Sequence, residues 1–226
     1  DLERERGITI MAKNTAINYR GVKLNIVDTP GHSDFGGEVE RMLSLVDGVM
    51  LLVDASEGPL PQTRFVLRKA LEKNLASIVV INKIDRPDAR VDEVVNKTFD
   101  LFVELNASSK QLDFPIVFTS AVNRTATLDM AKPGMDVSPL FDTIVKTIPP
   151  PDVTPDAPVQ LLVLALAYDP FKGKMGIGKI QAGSLRRAQS LMRIAHDGTR
   201  QTGNAMALLS YKGLERVEIE SADCGD

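Results

Sequence analysis

The sequence has little of the residues that build metal sites, covalent cross-links and membrane spans. Its 226 residues include one cysteine, Cys224, two histidines and no tryptophan. A lone cysteine excludes an intramolecular disulfide framework and fits a reducing compartment, and so few ligands argue against structural zinc. No uncharged apolar run is long enough to span a bilayer. These absences predict a cytoplasmic globular protein with no membrane partner; a plastid or another organelle is the alternative compartment.

Over its first two thirds the sequence alternates strands with helices. Apolar runs such as "GVMLLVD" (48–54) and "ASIVVIN" (76–82) predict buried strands, and the stretches between them repeat apolar residues at helical spacing. "TAINY" and "VKLNIVD" flank "RG" and predict a β-hairpin ahead of them. This alternation predicts an α/β domain in which a mostly parallel sheet carries helices on both faces.

A proline-rich stretch ends the alternation. "IPPPDVTPDAP" has five prolines in eleven residues, so we predict a stiff linker at 149–158, between a first domain at 1–148 and a second at 159–226. The second domain has only short strand-like runs separated by turn residues, which predicts a small β-barrel. Residues 1–157 carry 18 Lys and Arg against 23 Asp and Glu, whereas residues 158–212 carry 8 against 2.

Polar residues stand where predicted strands end. Asp28, Asp54, Asn82 and Ser120 each end such a strand. Because ligands of open α/β sheets bind beyond the carboxyl ends of the strands, we expect all four at one edge of one sheet.

The stretch "NKID", residues 82–85, has two interpretations. The Asp85 carboxylate can accept parallel hydrogen bonds from N1 and the 2-amino group of guanine, a donor pair that adenine lacks. Asn82 can complete that edge, and the aliphatic stem of Lys83 can cover the ring. The other interpretation is a turn after a buried strand, because Asn and Asp are common turn residues.

The stretch "DTPGH", residues 28–32, has two interpretations as well. Asp28 can hold Mg²⁺ through water, and the Gly31 N–H can approach a phosphate closely. The other interpretation is a strand-to-helix turn in which Asp28 is the cap. Upstream, "ERGITI" either supplies the Thr9 hydroxyl to the same Mg²⁺ or simply begins a strand.

In combination these motifs resemble a known family. "DLERERGITI", "DTPGH", "NKID" and "TSA" resemble, in order and spacing, the translational GTPases, and the resemblance extends over essentially the whole chain. "PLPQTRFVLRKA" has the form of the TypA/BipA branch. The resemblance implies a P-loop GTPase-type sheet, then a translation-factor β-barrel, in a ribosome-associated GTPase that acts in translation or ribosome assembly. The alternatives are a factor of the elongation factor G or LepA class, and a non-catalytic, nucleotide-dependent ribosome-binding module.

The resemblance also implies roles for single residues. His32 would orient the attacking water once ribosomal RNA positions it, and Gly31 would contact the γ-phosphate. Thr9 and Asp28 would hold Mg²⁺, the latter through water, and Ile8 would belong to an apolar gate beside the histidine. The guanine-binding residues would be Asn82, Lys83, Asp85, Ser120 and Ala121.

The resemblance implies a ribosomal partner and no DNA. The basic excess of the second domain fits a contact with ribosomal RNA, and a solvated charged face explains it equally well. The residues concerned are Lys172, Lys174, Lys179, Arg186, Arg187, Arg193 and Arg200.

The main departure of the sequence from the family pattern is that no GxxxxGK[ST] phosphate loop occurs in it; a smaller one is Val122 after Ala121, where Leu or Lys is commoner. We therefore expect a fragment that lacks the phosphate loop, its strand and the C-terminal domains, and whose barrel is incomplete. Alone, such a chain should bind GTP weakly, be inactive, and be aggregation-prone or partly folded, because a missing central strand leaves unpaired edges.

Overall fold

The computed structural model describes residues 13–28, 36–132 and 134–226. Its first elements are β1 (Lys13–Tyr19) and β2 (Val22–Asp28), which pair antiparallel over their whole length. Arg20 and Gly21 between them have φ of 49° and 81°. Positive φ at both central residues gives the turn whose twist suits a two-residue hairpin, so the hairpin predicted across "RG" is confirmed.

The described residues fall into two compact units. The first, within 36–150, contains five helices and four strands. In chain order these are α1 (Gly36–Leu43), β3 (Gly48–Asp54), α2 (Pro61–Glu72), β4 (Ala76–Asn82), α3 (Val91–Glu104), α4 (Ser109–Leu112), β5 (Ile116–Ser120), β6 (Thr125–Thr127) and α5 (Ser138–Thr147).

The sheet of this unit has the order β3-β4-β5-β6. The first three strands run parallel, and β6 pairs antiparallel with β5 at the edge. Alternate side chains of β3 and β4, including Val53 and Ile81, pack with α2 and α3 into a core centred on the fully buried Phe102. The predicted α/β organisation is therefore present, and helix α5 contacts β4, β5 and β6.

The second unit, within 13–28 and 151–226, contains the hairpin and eight further strands. These are β7 (Gln160–Asp169), β8 (Gly173–Ala182), β9 (Ser184–Arg186), β10 (Ser190–Ile194), β11 (Arg200–Asn204), β12 (Leu208–Lys212), β13 (Glu215–Ile219) and β14 (Ser221–Asp223). They pair antiparallel as β7-β8, β10-β11, β12-β13 and β9-β14. The expected further β-rich domain is thus confirmed.

The β1-β2 hairpin binds to the turn between β12 and β13. Ala16 and Gly213 exchange backbone hydrogen bonds of 3.2 and 2.8 Å, and the Thr15 hydroxyl donates to the Gly213 carbonyl at 2.6 Å. From β2, Lys23 Nζ donates to Ser210 Oγ at 2.9 Å and to Asp226 Oδ1 at 2.5 Å. These contacts make the hairpin part of the second unit.

The expectation that Asp28 shares a sheet edge with Asp54 and Asn82 is wrong for this structure. Among the described strands β2 pairs only with β1, and β3 is the edge strand of its sheet, where Leu52 is 60% exposed. No described strand pairs with the free edge of β3, so backbone hydrogen bonds do not extend that sheet to β2. In the described part of the chain, no helix has the length and apolar character needed to cross a membrane.

Candidate functional site

Three strand ends of the first unit lie side by side. Asp54 is the register partner of Asn82, and Asn82 is the register partner of Thr119. The carboxyl ends of β3, β4 and β5 therefore present one row of polar side chains at one edge of the sheet, where α/β proteins bind ligands.

Asn82 connects β4 to the loop after β5. Its Oδ1 accepts hydrogen bonds from the Thr119 hydroxyl at 3.1 Å and from the Ala121 N–H at 3.2 Å. On the backbone, the Asn82 carbonyl accepts from the Ala55 N–H at 2.8 Å. One asparagine thus holds two neighbouring loops in place.

Lys83 has a backbone conformation that few residues other than glycine adopt, with φ of 64°. Such left-handed residues cost on the order of 1–3 kcal/mol and concentrate at functional sites. Its Nζ lies 2.7 Å from Asp54 Oδ2, while the side chain as a whole stays 51% exposed. The ammonium thus faces a nearly buried carboxylate while half of the side-chain surface remains exposed.

The Asp54 side chain is 12% exposed and has both oxygens engaged. Oδ1 accepts from the Ser56 N–H at 2.8 Å and the Ser56 hydroxyl at 2.7 Å. Oδ2 is buried without an aligned hydrogen bond, so the Lys83 ammonium compensates it as an ion-pair partner. Burial raises the pKa of Asp54, but Lys83 and Ser56 together outweigh it and hold that pKa well below the usual range.

Asp85 differs from Asp54 in having no partner among the residues that the structure describes. It is exposed, and its carboxylate makes no hydrogen bond or ion pair with any residue that the structure describes. Its loop is fixed on both sides: the Ile84 N–H donates to the Thr119 carbonyl at 3.3 Å, and the Arg90 N–H donates to the Ala55 carbonyl at 2.7 Å. A free carboxylate on a fixed loop is suited to accept hydrogen bonds from a ligand.

Ser120 and Ala121 lie next to this loop with different surroundings. Ser120 is 2% exposed, and its hydroxyl accepts from the Asn123 N–H at 3.2 Å. Ala121 is exposed, and its N–H is already donated to Asn82. Ser120 therefore shapes the loop, and Ala121 is the one that a ligand can reach.

The model of the elongation factor Tu GTP binding domain matches residues 1–150. The chain belongs to this family. The match covers the row of strand ends and both loops that Asn82 connects, so the site lies inside a domain type that binds GTP.

Relatives and one solved structure extend the similarity to the whole chain. The large ribosomal subunit assembly factor BipA of Bacillus subtilis strain 168 is 51% identical over all 226 residues, and that of Haemophilus influenzae Rd is 53% identical. The chain spans 37% of the length of each. The crystal structure of a bacterial selenocysteine-specific elongation factor, EF-Sec, superposes on 99% of this chain and 36% of its own, with a TM-score of 0.74 and 22% identity. The resemblance to the TypA/BipA branch is thereby confirmed, and the EF-Sec match supports the fold.

Among the described residues, Asp28 stands outside this row because β2 pairs with β1. Asp28 ends β2 in the second unit and is exposed. Ile8, Thr9, Gly31 and His32 lie outside the described residues. Their predicted roles at the phosphates and Mg²⁺ stay predictions.

The seven basic residues lie on strands and turns of the second unit, and some of them contact acidic or amide side chains. Lys172 pairs with Glu218, and Arg187 lies 3.4 Å from Glu220. Arg193 Nη1 donates to Gln201 Oε1 at 2.9 Å. The other members are Lys174 and Lys179 on β8, Arg186 at the end of β9 and Arg200 on β11.

Sequence reasoning missed what Asp54 and Thr119 do. Asp54 was noted only as a strand end, and Thr119 was not singled out. The available signal was the parallel register: strands ending at Asp54 and Asn82 place the residue after Asn82 within reach of Asp54. A pair formed by side chains from different strands cannot be deduced without that register.

Proposed function

We propose that this protein is a ribosome-associated GTPase that binds GTP at the row of strand ends and hydrolyses it to GDP and phosphate. The supporting observation is the exposed Asp85 carboxylate, which has no partner in the described part of the chain and stands on a loop fixed by Asn82 and Thr119. The relatives are named as assembly factors of the large ribosomal subunit, so we place the activity on ribosomes, in translation or ribosome assembly. We assign it to the cytoplasm, or to the equivalent compartment of an organelle.

In this proposal base recognition comes from three side chains. Asp85 accepts hydrogen bonds from N1 and the 2-amino group of guanine, and adenine is rejected because it leaves the carboxylate without those donors. Asn82 holds the Ala121 loop at the base edge, and the stem of Lys83 covers the ring. Ser120 keeps the Ala121 loop in shape.

The phosphate end of the proposed site involves the residues predicted from the family pattern. Gly31 donates its N–H to the γ-phosphate, and His32 orients the attacking water behind the apolar gate that includes Ile8. Phosphoryl transfer depends on positioning and charge stabilisation, so one orienting histidine suffices. Thr9 offers an oxygen ligand of the kind that Mg²⁺ prefers, and the ion would neutralise phosphate charge.

The decisive experiment changes the base preference of the full-length protein. Asp85→Asn replaces a carboxylate with an amide, which can donate to the 2-oxygen of xanthine. We expect competition binding to show a shift from GTP towards XTP. Asp88→Asn is the matched control: Asp88 lies three residues further on and pairs with Arg86, so its loss should leave the preference unchanged. If Asp85→Asn keeps the wild-type preference for guanine, Asp85 does not recognise the base.

Catalysis is tested separately with His32→Ala. This variant should lose most ribosome-stimulated GTP hydrolysis and keep near-normal GTP affinity, because the histidine acts on the water and not on the nucleotide. Wild-type turnover in the presence of ribosomes would show that His32 has no such role.

A contact between the basic surface and ribosomal RNA is a further part of the proposal. Reversing the charges of Arg186 and Arg187 should weaken ribosome association and lower its salt slope by roughly one unit per lost phosphate contact. GTP affinity of the free protein should not change. An unchanged slope in sedimentation at several salt concentrations would favour a solvated face.

A further inference from the structure

We propose that Asp54 is a positioning residue for guanine-nucleotide binding, because it anchors the ammonium of Lys83 and thereby holds the lysine stem ready for the purine ring. The inference rests on the proposed function and adds to it a residue outside "NKID". Asp54 itself does not touch the base in this proposal; it acts through Lys83.

The anchoring contact is defined by geometry on adjacent parallel strands. Asp54 is in register with Asn82, so Lys83 is the first residue beyond the paired end of β4. From there its Nζ reaches Asp54 Oδ2 at 2.7 Å. The positive φ of Lys83 and the low exposure of Asp54 mark this as a constrained arrangement.

The anchor is itself held firmly to β3. Ser56 donates two hydrogen bonds to Oδ1, and the Gly58 N–H donates to the Asp54 carbonyl at 2.9 Å. Gly58 has a φ of 80°, which lets the chain close this turn tightly. The carboxylate therefore keeps its orientation whether or not a ligand is present, and its low pKa keeps it charged at neutral pH.

Anchoring matters because a lysine side chain has much rotamer freedom to lose. An unanchored Lys83 would order its four-carbon stem at the moment of binding, and that entropy would weaken nucleotide affinity. With Nζ fixed on Asp54, the stem is already restricted while half of the side chain remains exposed to a ligand. Preorganisation of this kind lengthens the lifetime of a complex more than it speeds its formation.

The test is a double-mutant cycle in the full-length protein with fluorescent GDP as the probe. Asp54→Asn keeps an Oδ1 acceptor for Ser56 but puts an NH₂ group where Oδ2 faced Lys83. Lys83→Met keeps an apolar stem and removes the ammonium. We expect each single variant to release GDP on the order of tenfold faster, and the double variant to be no faster than the faster single variant.

Lys97→Met is the matched control. It removes an ammonium that lies 2.6 Å from Glu93 Oε1 on α3, from a lysine side chain that is 52% exposed. It should leave GDP release unchanged, because this ion pair is not at the row of strand ends. The ratio of GDP to XDP affinity should also stay at the wild-type value in Asp54→Asn, because Asp85 and not Lys83 selects the base.

Two results would overturn the proposal. If the two single effects multiply in the double variant, Asp54 acts independently of Lys83; if Asp54→Asn releases GDP at the wild-type rate, the ion pair does not position anything that matters. Failure of the proposed function is distinguishable, because then the wild-type protein itself would not bind fluorescent GDP in preference to the adenine analogue, and the inference would fall with it.

Discussion

The two units of this protein bury their apolar side chains to very different extents. In the first unit ten fully or nearly buried residues form one continuous cluster, which includes Leu67, Ile81 and Phe102. In the second unit the buried apolar residues among those described are Ala16, Ile180, Ala182 and Leu185. Strand β7 leaves Leu161, Leu162, Val163, Leu166 and Tyr168 exposed.

This difference indicates that the two units have different vulnerable points. The first unit depends on one hydrophobic core, in which most of its apolar side chains are buried. Removal of a methylene group there lowers the free energy of unfolding. The second depends more on backbone ladders and on close approach between backbones, as at Gly178 and Gly183. Core truncations should therefore be most damaging in the first unit, and added backbone bulk in the second.

The largest expected effect is that of Phe102→Ala. Phe102 is fully buried and stacks on Phe114 with ring centroids 4.2 Å apart, so truncation should cost about 3–5 kcal/mol of unfolding free energy. Phe171→Ala is the matched control in the second unit, because Phe171 is 98% exposed, and it should change almost nothing. Denaturant unfolding combined with peptide-resolved hydrogen exchange measures both and assigns each loss to a unit. If the two variants lost similar amounts of unfolding free energy, the first unit would not depend on its buried core in the way inferred here.

The second effect should come from Gly178→Ala in β8. An added Cβ would overlap the Leu162 carbonyl, whose carbon would lie 2.7 Å away, and backbone cannot move aside as a side-chain end can. We expect a loss of about 1–3 kcal/mol, seen as faster hydrogen exchange in β7 and β8. Gly203→Ala on β11 has no atom within 4 Å of the new Cβ and should be neutral or slightly stabilising. If hydrogen exchange is equally fast in the two variants, the close approach of backbones at Gly178 does not limit the stability of this unit.

The extent of burial also decided which elements could be predicted from the sequence. Long apolar runs and helical spacing predicted β3, β4, α2 and α3 because each of these elements buries a complete face. Short elements such as α4 and β6 were missed, since three or four residues carry too little pattern to detect. At the site, "NKID" predicts a guanine-binding loop, which stays a prediction, whereas the Asp54–Lys83 pair could be found only with the strand register.

The place of the hairpin shows another limit of sequence reasoning. Residue pattern predicted β1, β2 and their turn, but it predicted the wrong neighbour for β2. Which sheet a hairpin joins depends on the edges available to it, and Gly213 and Asp226, about two hundred residues away in sequence, provide the partners here. Such non-local contacts leave no local signal in the chain.

A smaller effect concerns Asp54 and depends on pH. Its folded-state pKa lies below the ordinary value, so its ionised form stabilises the first unit fully above the unfolded-state pKa of about 3.9 and progressively less as the pH falls below it. At pH 7 Asp54→Asn should cost about 1 kcal/mol, as expected for a partly exposed ion pair. The difference in unfolding free energy between the wild type and the variant, measured by denaturant unfolding, should stay constant from pH 7 to about pH 5 and become smaller below about pH 4. If this difference becomes larger as the pH falls, the pKa of Asp54 is not lowered in the folded protein.

The smallest effect should be that of Lys172→Ala in the second unit. Lys172 pairs with Glu218, and both side chains are more than a third exposed, at 37% and 49%. This pairing lowers the pKa of Glu218, but solvent and salt screen such a surface pair, so its removal should leave the denaturation midpoint unchanged within error. The measurement is denaturant unfolding at low and high salt, with Lys174→Ala as the control on the same hairpin, because Lys174 is exposed and makes no ion pair with the described residues. A clear, salt-sensitive loss confined to Lys172→Ala would show that surface charge, as well as backbone pairing, holds this unit together.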